Sequence, residues 1–453
     1  MRGAFDYVYY NTPSWAQSFL VSVYGCDLYR KRYIGIYKKI KQEILEFKEA
    51  SKDKIDAMQQ ERLHALIQYC YRNIPYYQNI FSEYALKPQD ITSVADLQKL
   101  PILDKQVLRE HISLFRPING KRPFIVQKTS GSTGTPLALD VNEYTYKLAM
   151  ALLVDHEESH GVPFRSRRAT FAGRMIQPLN NLTPPFSRFN WAENQKIFSS
   201  YHLSSRTFPY YRKELDNFKP LEIIGYPSAI SELATHYLEK GIRPQFQAKA
   251  IVTNSESLLS WQRDRIESAF QCPIYDYYGT AEYVIFAGQN ISGIYKTNPL
   301  IGISEIVKES DDAQEGRIIA TTLNNYAMPL VRYDVGDTAI SIDDKGNSEG
   351  VKSIVRFNGR KDDYIFTPDG RKIGRIDHIF KGVYGIREAQ VIQNSVTQCT
   401  ILISTSKKIP NNEKLITENF KSRISEEIAI NFEYVERIPR GKNGKFKSVV
   451  GIS

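Results

Sequence analysis

Thr129-Ser130-Gly131-Ser132-Thr133-Gly134-Thr135-Pro136 lies between the apolar runs Phe124-Ile125-Val126 and Leu137-Ala138-Leu139. Its two glycines let the backbone turn sharply and approach a ligand where a Cβ would obstruct. Five hydroxyls and a row of backbone N–H groups can then converge on one small volume, which suits the oxygens of a polyphosphate. The stretch is not a P-loop, because no Gly-Lys-Ser/Thr follows its second glycine. Taken alone it also reads as the polar turn of a hairpin, so the surrounding chain has to decide.

Four further stretches follow in order. They are Tyr277-Tyr278-Gly279-Thr280-Ala281-Glu282, Arg332-Tyr333-Asp334-Val335-Gly336-Asp337, Gly359-Arg360-Lys361-Asp362-Asp363 and Pro439-Arg440-Gly441-Lys442-Asn443-Gly444-Lys445. In that order the chain resembles the adenylate-forming (acyl-AMP) superfamily. Within it, the chain is similar to the phenylacetate–CoA ligase family and its CapK-like branch from polysaccharide-biosynthesis loci. Longer stretches carry the branch assignment: Arg62-Leu63 through Ile74-Pro75-Tyr76-Tyr77, Leu100-Pro101-Ile102-Leu103-Asp104-Lys105, and Ile224-Gly225-Tyr226-Pro227-Ser228-Ala229. The resemblance covers nearly the whole chain.

At 453 residues the chain is too long for one core, which predicts a large domain and a smaller one. Its 42% hydrophobic and 24% charged residues are those of an ordinary globular protein. No apolar run reaches the roughly 20 residues that span a bilayer, and the start lacks a signal-peptide core, so the cytoplasm is the expected compartment. Cys26, Cys70, Cys272 and Cys399 have no short spacing that would mark a zinc site or a disulfide framework. The net charge of +10 comes without a nucleic-acid-reading motif and reads mainly as solvated surface, so no nucleic-acid partner is expected.

The first residues through Tyr37 interleave Tyr7, Tyr9, Tyr10, Trp15, Phe19, Tyr24, Tyr29 and Tyr33 with Arg30, Lys31 and Arg32. Such a stretch either packs as a helical arm on the body or lies on the inner face of a membrane. Leu63, Leu66, Ile67 and Tyr71 continue a helical spacing. Beyond Ala169, strands are expected at 169–172, 222–224 and 250–252. Helices are expected from Pro227 to Gly241 and over 259–270, an alternation that predicts an α/β sheet. After 358–362 the pattern changes to α+β: strands at 389–392 and 400–403, a helix at 414–428, then Tyr434-Val435. The expected division is therefore a large domain 1–358, with a helical arm over about 1–120, and a small mobile α+β domain 359–453.

What the resemblance implies about residues is specific. Thr129, Ser130, Gly131, Ser132, Thr133, Gly134 and Thr135 would hold the triphosphate of ATP. Many superfamily members carry lysine after the proline, where this chain and the phenylacetate branch do not; here the residue is Leu137. Glu282, with Thr280 beside it, would take part in catalysis and hold Mg²⁺, since one carboxylate plus phosphate oxygens is how this ion is usually bound. By itself Glu282 would read as a surface ion pair. Tyr278 and Gly279 would line the nucleotide site, and Ser255 and Glu256 would meet the adenine. Asp337 would accept the ribose hydroxyls, although Asp-Val-Gly-Asp also makes a good turn. Asp334 stands where relatives often have a basic residue.

Arg360 would touch nucleotide and Asp362 would be the hinge, with Lys445 delivered as the catalytic lysine. Arg174, Tyr226, Pro227 and Ser228 are candidates for the acid pocket. The implied reaction joins a small carboxylic acid to ATP and passes the acyl group to CoA or to an amine-bearing sugar. CoA cannot be assumed, because thioester-forming relatives carry a short glycine-containing loop after the hinge, where this chain has Tyr364-Ile365-Phe366-Thr367-Pro368-Asp369-Gly370-Arg371-Lys372. A non-catalytic nucleotide-binding scaffold is the competing class. His160, His202 and His378 suggest no rival nucleophile chemistry.

Overall fold

In the computed structural model the described residues are 7–128, 137–342, 348–360, 364–373, 377–380, 383, 385–405, 410–441 and 444–452. The glycine-hydroxyl stretch 129–136 and Asp362, expected as the hinge, lie outside them, as do the side chains of Arg360 and His378. The chain packs as two compact units. One comprises residues 1–22, 165–274 and 358–453, the other 23–164 and 275–357.

In the first unit, Ala250–Thr253, Glu222–Gly225, Arg168–Phe171 and Gln195–Phe198 lie side by side and parallel, with Ser187–Asn190 antiparallel at the edge. The central two, Glu222–Gly225 and Ala250–Thr253, are buried throughout because helices cover them. Phe171, Ile223 and Ile251 share a core with Ile230 and Leu233 of the helix Pro227–Glu239 and Ile266 of the helix Ser260–Phe270. Gly225 is required where strand passes to helix: a Cβ there would sit 2.0 Å from the Phe171 carbonyl oxygen. The next N–H, of Tyr226, donates to that same oxygen at 2.8 Å, and Pro227 starts the helix at the position where proline has no N–H to lose.

The C-terminal part of this unit is a four-stranded sheet in the order Ala429–Val435, Gln398–Thr405, Ile386–Ser395, Val449–Val450. The helix Asn412–Arg423 packs on it through Ile416 and Phe420. The expected helix at 414–428 is thus too long. Ile424 and Ile428 keep the apolar spacing and are buried, but the chain leaves the helix at Arg423 and pairs as a parallel strand from Ala429.

The N-terminal helix Ser14–Tyr33 begins in this unit. Its buried Gln17 and Ser22 bond to 188–189: Arg188 Nε donates to Gln17 Oε1 at 2.6 Å, and Ser22 Oγ donates to the Phe189 carbonyl at 3.1 Å. The opposite face leaves Trp15 and Phe19 exposed, with Phe19 edge-on to Trp191. Among the described residues no helix is long and apolar enough to cross a membrane.

The second unit pairs Ile125–Lys128 with Ala138–Val141 as an antiparallel hairpin, Lys128 opposite Ala138, directly flanking the glycine-hydroxyl loop. Its larger sheet runs Gly302–Lys308, Gly316–Thr322, Tyr333–Ile342, Ser353–Arg360, Tyr295–Thr297, Phe286–Gln289, Ile274–Gly279. The helix Lys52–Asn73, N-capped by Ser51, buries Leu63, Leu66 and Ile67 against this sheet's Ile303, Ile318 and Ile354. Tyr71, expected on the same face, is 41% exposed and sets its ring edge-on to Phe81.

Candidate functional site

Two groups of nominated residues come together, one in each unit. In the 23–164 and 275–357 unit, the strand Ile274–Gly279 runs out into a turn closed by the Tyr283 N–H on the Thr280 carbonyl. This turn presents Glu282, which is 6% exposed. Its Oε1 accepts from Lys105 Nζ at 3.0 Å and from the Tyr333 hydroxyl at 3.1 Å, while among the described residues Oε2 has no hydrogen-bond partner. Thr280 Oγ1 is buried and likewise has no partner among the described residues.

Tyr278, on the same strand, donates its hydroxyl to Asp337 Oδ2 at 2.6 Å and stacks its ring on Phe357 at 3.8 Å. Asp337 is aimed by a bulge. Arg317 lies opposite Thr338 but Ile319 lies opposite Asp334, so Val335, Gly336 and Asp337 together face the single residue Ile318 and their strand carries two extra residues. Gly336 takes φ +86°, which a bulge of this kind asks of glycine. Asp334 supplies the lock: its Oδ1 accepts the Gly336 N–H at 2.9 Å and its Oδ2 pairs with Arg317 at 3.0 Å. Asp334 thus fixes the turn that points Asp337.

The arrangement fits a magnesium nucleotide. No group of three His, Cys, Asp or Glu side chains that could hold a metal occurs among the described residues. A metal at Glu282 would therefore complete its shell with phosphate oxygens and water, as Mg²⁺ does.

In the other unit, the turn carrying Lys445 is closed by the Gly441 N–H on the Lys445 carbonyl at 3.0 Å and the Gly444 N–H on the Gly441 carbonyl at 2.8 Å. Next to Lys445, the Phe446 N–H donates to Glu256 Oε1 at 2.6 Å. Glu256 Oε2 accepts the Ser228 N–H at 3.2 Å, a carboxylate at the N-terminus of the helix Pro227–Glu239, where backbone N–H groups lack helical partners. Burial pushes the Glu256 carboxyl above its usual range, against the pull of these hydrogen bonds. Gly444 sits on Gly173 and Tyr201, next to Arg174, which is exposed. Burial raises the Tyr226 hydroxyl to about 12, so it stays protonated. Lys445, Glu256, Ser228 and the 173–174 turn are therefore neighbours, whereas Ser255 points away, exposed, at φ +68° with its hydroxyl on Asn254.

Charged pairs hold this turn in its seat. Arg437 donates to the Ser200 carbonyl at 2.8 Å and to Glu232 at 3.3 Å. Arg440 pairs with Glu388 and lies over the Phe446 ring at 4.9 Å. Arg265 donates to the Arg387 carbonyl at 2.8 Å, while Arg387 forks onto Glu239 at 2.9 and 2.7 Å.

Sequence reasoning missed Lys105, Tyr333 and Phe357 as neighbours of nominated residues. Lys105 and Tyr333 were inside stretches already singled out, and only their roles were unread. It also passed over a serine beside His202: Ser199 Oγ lies 2.7 Å from His202 Nδ1. Both are buried, the other ring nitrogen is on the Pro178 carbonyl, and burial holds the imidazole pKa down, so this pair braces the fold.

Residues 365–451 match the CapK C-terminal domain family. The chain is 27% identical over 453 residues to protein CapK of Staphylococcus aureus, covering 97% of this chain and 98% of that one. It is 26% identical over 337 residues to the phenylacetate-coenzyme A ligase of Aromatoleum evansii, covering 70% and 72%. Among solved structures, 2-hydroxyisobutyryl-CoA ligase in the postadenylation state with R3-HIB-AMP superposes with a TM-score of 0.66. That pair shares 18% identity and covers 88% of this chain and 89% of that one, a likeness of fold.

Proposed function

We propose, from the premise that the chain belongs to the CapK-like branch of the phenylacetate–CoA ligase family of adenylate-forming ligases, that it activates a small carboxylic acid with Mg-ATP for cell-surface polysaccharide biosynthesis. One carboxylate oxygen of the acid attacks the α-phosphorus of ATP. The bond to the bridging oxygen breaks, pyrophosphate leaves, and acyl-AMP results. An acceptor nucleophile then takes the acyl group and releases AMP.

The observation that carries this reading is the Glu282 cluster, where Lys105 and Tyr333 grip one oxygen and the other has no protein partner among the described residues. Mg²⁺, when bound, would neutralise charge on the phosphates. Glu282 would be its protein ligand, and Thr280 Oγ1 would donate into the same place. Tyr278 would orient Asp337 for the ribose hydroxyls. The 129–135 loop would add donors to the triphosphate, with Arg360 and Glu256 at the nucleotide. Lys445 would bring its ammonium to the carboxylate and α-phosphate, charge that grows in the transition state. Asp362 would be the pivot of the 359–453 segment, and Arg174, Tyr226, Pro227 and Ser228 would border the acid.

The acceptor we favour is an amine, such as one borne by a sugar, with CoA as the alternative. Trp15 and Phe19, exposed on a helix ending in Arg30, Lys31 and Arg32, support peripheral contact with the inner, anionic face of the membrane. Sedimentation with anionic vesicles tests that contact, and equal recovery with neutral vesicles would dismiss it.

The test of activity is pyrophosphate–ATP exchange across a panel of aryl, fatty, amino and sugar acids, followed by mass spectrometry of products with and without CoA. One acid should support exchange. ATP binding without exchange for any acid would favour the scaffold, and stoichiometric acyl-CoA would rule out the amine preference.

A further inference from the structure

We infer that Lys105 binds the terminal phosphates of the nucleoside triphosphate, supplying a cation that the 129–136 loop does not carry at its end. The inference rests on the adenylating reading above and goes beyond it to a residue that no motif assigned. The position that follows the proline is Leu137, which is 2% exposed in the core and offers no charge. Lys105, far away in sequence, stands beside Glu282 instead, with Nζ 3.0 Å from Oε1.

An ammonium has three donors. Among the described residues Glu282 is the only acceptor Lys105 meets, so two donors have no protein partner there. The side chain is 26% exposed, against 5% for that of Glu282, so the lysine is the open side of the pair. Its backbone is fixed by a strap. The Leu103 N–H donates to the Arg332 carbonyl at 2.9 Å, and the Asp334 N–H donates to the Leu103 carbonyl at 2.9 Å. Arg332 also reaches the Leu100 carbonyl at 2.6 Å, and Asp104 caps the helix Lys105–Glu110 through the Gln106 N–H.

The Leu100–Lys105 stretch is thus tied to the strand that bears Asp337 and delivers one ammonium to the proposed magnesium carboxylate. A compact point charge with free donors suits phosphate oxygens. Phosphates held through a metal on Glu282 would come within reach of a cation on the same carboxylate.

The test compares ATP with AMP, because AMP lacks the phosphates Lys105 would hold. By calorimetry at saturating Mg²⁺, Lys105→Met should weaken ATP binding about 10- to 100-fold, the range for a lost charged hydrogen bond, and AMP binding by no more than about twofold. Lys105→Arg should retain most of the ATP affinity. On the unaltered protein, lysine acetylation read by mass spectrometry should slow at Lys105 with ATP or pyrophosphate and not with AMP. Equal losses for ATP and AMP, or labelling indifferent to every ligand, would reduce Lys105 to a structural partner of Glu282. Absence of ATP binding by the unaltered protein would instead sink the adenylating reading, and this inference with it.

Discussion

Gly444→Ala asks whether the seat of Lys445 is the one used in adenylation. Gly444 has φ +76°, where an L-residue is disfavoured by roughly 1–2 kcal/mol. The added Cβ would lie 2.7 Å from the Tyr201 hydroxyl and 2.9 Å from Gly173 Cα. The hydroxyl is not free to swing aside, because it donates to the Gly173 carbonyl at 3.1 Å, and the second neighbour is backbone. Restoring an ordinary carbon–carbon separation of about 3.5–4.0 Å requires the turn to retreat by roughly 0.6–1 Å. The shift carries Lys445 with it, and misplacing a catalytic group by about 1 Å slows a reaction on the order of 10²-fold. Pyrophosphate exchange in Gly444→Ala should therefore fall about 10- to 100-fold, with ATP affinity nearly unchanged. Lys445→Ala is the benchmark, expected to lose about 10²-fold or more, as when a transition-state donor is removed. Full exchange in Gly444→Ala beside a slow Lys445→Ala would mean that the observed seat is not the adenylating one. Full exchange in both would remove Lys445 from catalysis.

Tyr278→Phe removes the hydroxyl that holds Asp337, so ATP and AMP affinities should fall together by about 5- to 10-fold, the size of one ordinary hydrogen bond. A loss for ATP alone would place Asp337 away from the ribose. Glu232 gives a pH signature: burial, with Glu388 nearby, pushes its carboxyl from 4.5 to about 7 against the pull of Arg437 and Arg440. A carboxyl raised in the folded state binds its proton better there than when unfolded, so the stability present below about pH 4.5 is lost as pH rises through about 7. The calorimetric melting temperature should drop across that window, and Glu232→Gln should flatten the drop; an unchanged slope would assign it to other groups.

The parallel strands of the first unit were legible because burial on both faces leaves a short apolar run, bounded by features such as Pro227 and Gly241 that punctuate helices. Of the strand Ala429–Val435 only the Tyr434-Val435 end was read, because its exposed and half-buried residues give no apolar run and its partner Gln398–Thr405 lies across an intervening helix. The antiparallel strands from Phe286 to Ile342 went unread, and the one motif among them, Arg332–Asp337, suggested a turn rather than the strand Tyr333–Ile342. At the site, Glu282, Tyr278 and Asp337 were nominated from their motifs, and the structure joins Tyr278 to Asp337 directly. Lys105 could not be placed, because its partner is 177 residues away and a lone lysine carries no pattern. Asp334 went unexplained for the same reason, its meaning residing in a bulge that only the register reveals.

The stretch after the proposed hinge bears on the choice of acceptor. A loop that must enter a site during transfer to CoA has to be free of strong internal bonds. Here Ile365–Phe366 pairs with Lys372–Ile373, and the Thr367 N–H donates to the Arg371 carbonyl at 2.9 Å. Gly370 closes the turn at φ +84°, with its N–H on the Thr367 carbonyl at 2.9 Å, and Arg371 pairs with Asp369 at 2.7 Å. Gln393 then bonds both backbone groups of Phe366, at 2.9 and 2.6 Å, which staples the hairpin to the strand Ile386–Ser395. Each neutral bond contributes on the order of 1 kcal/mol, so recasting this hairpin as a mobile loop would cost several. An acceptor that approaches without remodelling it avoids that penalty. On the proposed adenylating reading this favours an amine that attacks the acyl carbon directly, and a transfer to CoA that remodels the hairpin would have to offset that cost.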